Sequence, residues 1–188
     1  MGYTHSWYRP RELEREKFAD AVEDCRKVCE ASMIPLRGVE GAAEPVFRDF
    51  IVAFNGGCEP LIVQCVCDAR SPERPSRAKP GAWFGFCKTE HLPYDLCVQA
   101  ALIVFQHHLG AGFLVSSDGD SAAWGRAREL CQRVLGYGES FSLASVLFLS
   151  CGAMNRRRSA GGSKRLRLPP GAGLRDERGV VTRAIAAL

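Results

Sequence analysis

Apolar and polar positions alternate with period two from Gly2 to Arg9. Tyr3, His5 and Trp7 then share one face of a strand, and Thr4 and Ser6 the other. Pro10 opens a predicted helix, Arg11 to Ser32. Leu13, Phe18, Ala21, Val22, Cys25, Val28 and Cys29 form its apolar stripe, and Glu12, Glu14 and Glu16 favour its N-terminal end. Pro35, Gly38, Gly41 and Pro45 mark a loop. Phe47 to Phe54 and Leu61 to Cys67 read as strands, joined into a hairpin across Asn55-Gly56-Gly57. Residues 68–82 carry three prolines and charges of both signs, the composition of a mobile loop.

The chain returns to strand at Trp83 to Lys88. Pro93 suits the first turn of a helix that runs to Leu109, where Gly110 suits a left-handed stop. This helix is apolar almost all round, which predicts a central, buried position. Phe113 to Ser116 is a short strand. Asp120 or Ser121 caps a last helix to Leu135, with Trp124, Ala127, Cys131, Val134 and Leu135 facing inward. The order β-α-β-β-β-α-β-α predicts an α+β fold with a mainly antiparallel sheet, a buried central helix and two amphipathic helices.

Composition divides the chain of 188 residues. Residues 1–138 read as a single α+β domain, 139–153 as an apolar extension, and 154–188 as a basic, disordered tail. The last 35 residues hold nine Lys and Arg against two acidic side chains, +7. Residues 1–153 hold sixteen against nineteen, −3, so the formal net charge of +4 describes the tail rather than the body. Met1-Gly2-Tyr3 lacks the cationic and apolar regions of a secretory leader, and the longest apolar run is shorter than a membrane span. A soluble cytoplasmic protein is expected, its nine cysteines reduced.

Four short polar segments interrupt apolar surroundings: Gly2-Tyr3-Thr4-His5-Ser6-Trp7, Phe86-Cys87-Lys88-Thr89, Pro93-Tyr94-Asp95 and Ser116-Ser117-Asp118-Gly119-Asp120. They fall at strand ends and helix starts, where a scaffold holds side chains rigidly. Over about residues 2–136 they resemble the signature of a family of small uncharacterised proteins from bacteria, phages and fungi. Those proteins open Gly-Tyr-Thr-His-x-Trp, carry Phe-Cys-Lys-Thr and Pro-Tyr-Asp mid-chain, and end near Ser-Ser-Asp-Gly-Asp. Ser6 stands here where a second aromatic residue is expected. The resemblance implies a shared site and names no activity.

The chemistry these segments offer is general. His5 is a candidate base, or a metal ligand with its second ring nitrogen fixed by a neighbour. Lys88 can neutralise an anionic substrate, and Asp118 can partner the histidine. Tyr3, Trp7, Cys87, Thr89, Asp95, Ser117 and Asp120 complete the candidate ligand-binding set. Cys87 beside Lys88 can be an activated thiol, or a core cysteine with the lysine pointing to solvent. An EF-hand starting at Asp118 fails, because Ala122 and Ala123 occupy its fifth and sixth positions. No metal-ligand set, nucleotide loop or hydrolase motif occurs, and no cofactor is implied. The basic tail points to nucleic acid only through phosphate attraction, since it lacks interleaved aromatic residues. Two functions stay open: binding or processing of a small polar or anionic ligand at a His/Lys/Asp site, or a non-enzymatic protein-interaction module without an active site. Convergence of these groups in space separates the two.

Overall fold

Two antiparallel sheets and three helices make up the fold, seen in a computed structural model that describes residues 2–40 and 43–144. The expected disordered tail, and the extension from 145 onward, lie outside the described residues. The elements are β1 (Thr4–Arg9), α1 (Arg15–Ser32), β2 (Val46–Arg48), β3 (Ile51–Phe54), β4 (Leu61–Gln64), β5 (Arg74–Pro75), β6 (Trp83–Lys88), α2 (Asp95–Leu109), β7 (Leu114–Ser117) and α3 (Gly125–Leu135).

The first sheet runs β5-β6-β1-β7 and every pairing is antiparallel. β1 lies between β6 and β7, so the units β1-α1-β5/β6 and β6-α2-β7 interleave in a split β-α-β arrangement. The second sheet, β2-β3-β4, is inserted between α1 and β5. The α+β class with a mainly antiparallel sheet is therefore what the chain adopts.

Burial follows the sequence pattern. β1 alternates strictly, with Tyr3, His5, Trp7 and Arg9 inside. α2 is buried over every residue from Cys97 to Phe105 and packs on both α1 and α3. α1 buries the predicted stripe from Phe18 to Cys29. The eight described cysteines are free thiols, seven of them buried. No described helix is long and apolar enough to cross a membrane.

Three expectations are corrected. The single strand over 47–54 is instead a tight hairpin, β2 to β3, because Asp49 and Phe50 form a turn; aspartate supports such turns through its short polar side chain. The segment 68–82 is not a free loop. Ser71 and Glu73 are buried and β5 pairs with β6. Composition misjudged it because one long-range ion pair, Arg9–Glu73, anchors it. The domain also does not stop at 138. Phe141 stacks on Trp124, and the Ala144 N–H bonds the Val115 carbonyl 2.7 Å away.

Candidate functional site

Antiparallel register puts directly opposed residues on the same face of a sheet. His5 faces Cys87 on β6 and Ser117 on β7, making one inward row across the first sheet. Asp95 arrives from above, at the start of α2. Tyr94 sets that start, since its hydroxyl bonds the carbonyls of Glu59 and Lys88 at 2.8 and 3.1 Å.

The fully buried imidazole of His5 bridges two groups. Its Nε2 lies 2.7 Å from Asp95 Oδ1 and its Nδ1 lies 2.9 Å from Ser117 Oγ. Asp95 is already an acceptor for the Thr89 hydroxyl and for Gln99 Nε2 at 3.0 Å. An ionised carboxylate only accepts, so His5 carries its proton on Nε2 and Nδ1 is free to accept from the Ser117 hydroxyl. Ser117 Oγ in turn accepts the Gly119 N–H at 3.0 Å. The outcome is a directed chain from hydroxyl to imidazole to carboxylate, the connectivity of an acid–base triad with the two ring nitrogens exchanged.

Aromatic rings wall the imidazole. Tyr3 and Trp124 meet it edge-on, each with centroids 5.0 Å away. His91 stacks on Tyr3 at 3.7 Å. Burial raises the Tyr3 pKa above its ordinary value, against hydrogen bonding from Ser117 and Gln99 that lowers it. Gly119 is required at its position, because a Cβ there would sit 2.1 Å from the Tyr3 hydroxyl oxygen. Glu90 and His91 both adopt left-handed backbone, with φ of 53° and 59°. Two consecutive non-glycine residues in that region store strain just before α2. The indole N–H of Trp124 is buried and has no partner among the described residues.

The structure sorts the sequence candidates. Tyr3, His5, Thr89, Asp95 and Ser117 converge. Lys88 does not: it lies opposite Thr4 on the outward face, and its Nζ pairs with Glu90 at 2.7 Å. Strand parity is the reason, since Cys87 points inward and its neighbour must point out. Asp118 closes the sheet end, its Oδ2 accepting the Thr4 N–H at 2.9 Å. Asp120 accepts the Ala123 N–H at 3.0 Å and caps a short 3-10 turn. Cys87 is the opposite of an activated thiol, because burial raises its pKa strongly. Trp7 does not wall His5. Its ring covers Gly85 and its indole N–H donates to Glu73 Oε1 at 2.9 Å.

Gln99, His91 and Trp124 are members that sequence reading missed. Gln99 alone had a local signal, four residues after Asp95 on the same helix face. Among the described residues, no group of three or more His, Cys, Asp or Glu is placed to hold a metal ion. No protein-family model, curated protein or solved structure matches the chain.

Proposed function

We propose that the chain binds and processes a small polar ligand at the Ser117–His5–Asp95 group, with His5 as the base. The observation that carries this reading is the imidazole held at 2.7 and 2.9 Å between a carboxylate and a hydroxyl. Ser117 and Asp95 are its partly exposed members, and the histidine sits behind them. The Ser117 proton passes to His5 Nδ1 as its oxygen adds to an electrophilic carbon or phosphorus of the ligand, Asp95 stabilises the imidazolium that forms, and the imidazolium returns that proton to the group that departs. The buried Trp124 indole N–H has no partner among the described residues, the kind of group a ligand satisfies. The anionic-substrate version loses its support with Lys88, which faces away.

The full burial of His5, with both nitrogens bonded, favours a second reading. In it the network only locks β1 to α2 and β7, and function resides on an interaction surface. A fluorophosphonate probe separates the two. An activated Ser117 takes one adduct in intact-mass and peptide analysis, and the S117A and H5Q variants do not. A folded wild-type chain that leaves Ser117 unlabelled sinks the enzymatic reading.

A further inference from the structure

A sheet with helices on one face alternates apolar residues inward and polar residues outward. The first sheet breaks that rule on its outward face. One outward row runs Arg74, Phe84, Tyr8 and Leu114, and the next runs Phe86, Ser6 and Ser116. Tyr8 and Phe84 pack with centroids 5.1 Å apart. Phe84 and Phe86 lie 6.1 Å apart with their planes within 27°. Phe86 is 53% exposed. Three aromatic rings thus form a ladder across the two central strands, at the water-facing surface.

We propose that this outward face binds single-stranded nucleic acid, with bases stacked on Tyr8, Phe84 and Phe86. Every base has a flat π-face, so a row of exposed rings offers sequence-tolerant stacking. The sequence on β6, Phe84-Gly85-Phe86, matches the Phe/Tyr-Gly/Ala-Phe centre of the RNA-recognition strand signature, with Cys87 where that signature has valine. As in that recognition mode, the strand is central in a four-stranded antiparallel sheet and a neighbouring central strand adds a further aromatic residue. This is an analogy of site geometry. The flanking positions depart from the signature, with Ala82, Trp83 and Thr89 in place of its basic, glycine and aromatic residues.

Charge points to the same class of partner. Arg74 is exposed at the end of the first row, and Arg70 and Arg77 are exposed on either side of β5. Lys88 lies outward at the other end of the ladder; its partner Glu90 is itself exposed, a pairing a phosphate can replace cheaply. The inference is independent of the His5 reading, because His5 and Ser117 point to the opposite face.

The test is fluorescence anisotropy of the full 188-residue chain with labelled 12-mers of oligo-U and oligo-dT, and a duplex of equal length, at low and moderate salt. The expected result is binding of either single strand in preference to duplex. F86A should weaken it about tenfold, within the range for losing one stacked base. F86Y should retain binding, and F86L, which keeps apolar area without a π-face, should not. R74A should weaken all single strands alike and reduce the salt slope by about one. Thermal melts check each variant, and the F86Y–F86L comparison decides the matter if F86A does not fold. Three outcomes overturn the proposal. They are no binding at low salt, equal binding of duplex that is indifferent to Phe86, and an F86L variant that binds like wild type.

Discussion

Glu73 Oε2 lies 2.6 Å from Arg9 Nε, and both side chains are buried. The carboxylate also accepts the Trp7 indole N–H at 2.9 Å and the Cys67 thiol at 2.9 Å. Arg9 spends its remaining donors on the carbonyls of Pro10, Arg11 and Gln64 and on the Cys67 sulfur. This network ties β1, the end of β4 and the 68–82 segment together.

Removing one partner of such a pair leaves an uncompensated buried charge, which costs about 3–5 kcal/mol. E73A should lose that much in urea unfolding and expose the 68–82 segment to trypsin at Arg70 and Arg77. The double variant R9M/E73L should recover part of the loss, but not all, because three carbonyls lose their donor. A loss below about 1 kcal/mol in E73A, the level of a surface pair, would contradict the buried-pair account.

Cys67 and Cys87 should be poor nucleophiles. Burial and the adjacent Glu73 carboxylate push the Cys67 pKa up to about 12. Burial, with Glu59 adding to it, raises Cys87. Burial likewise raises Cys131 to about 12. Cys58 is the one described cysteine that is not buried. In a C151S background, iodoacetamide at pH 8 should therefore modify Cys58 first, and the three raised thiols only on unfolding. Fast native labelling of Cys87 would restore it as a candidate nucleophile.

D95N should damage both the site and the fold. Asp95 accepts from His5, Thr89 and Gln99, and an amide at that position turns one acceptor into a donor facing other donors. The expected cost is about 1–3 kcal/mol. G119A should cost a similar amount by overpacking, because it drives a methyl group into the Tyr3 hydroxyl. Denaturant unfolding gives both numbers, and the His5 ring-nitrogen shifts report whether the tautomer changes. A G119A variant as stable as wild type, with unchanged His5 resonances, would show that Tyr3 does not hold the site.

What was legible from sequence was whatever depends on local periodicity. α2 has no polar face, so its burial followed from its composition. β1 alternates, so the inward set Tyr3, His5 and Trp7 followed from period two. Strand parity alone separates Lys88 from Cys87, which favours the alternative of a core cysteine with the lysine pointing to solvent. The convergence of His5, Asp95 and Ser117 was not legible, because the three lie 90 and 112 residues apart in the relevant pairs. Their meeting depends on strand order, which no local pattern encodes. Glu73 was hidden for the same reason: a loop's average composition does not reveal that one of its charges has a buried partner.

Acid should weaken the fold in two separable steps, through groups at the far end of α2. Asp24 accepts from His108 Nε2 at 2.9 Å and from the Tyr137 hydroxyl at 2.8 Å. Burial opposes its ionisation, but hydrogen bonds from His108, Tyr137 and Lys27 outweigh burial and hold its pKa below the usual value. A carboxylate depressed in the folded state contributes stability above its unfolded pKa, about 3.9, and loses it as pH falls through the folded value. His107 stacks on Tyr137 at 3.6 Å. Burial, followed by the neighbouring His108, lowers its pKa. The unfolded chain then binds the proton first as pH falls below about 6.5, so this step also reduces stability on acidification. His107 is largely solvent-exposed, which makes the upper step the smaller one. Melting temperature recorded from pH 7.5 to 3 should fall across both windows. H107N should flatten the upper window and D24N the lower. An H107N variant with an undiminished decline between pH 7 and 5 would assign that step to another group.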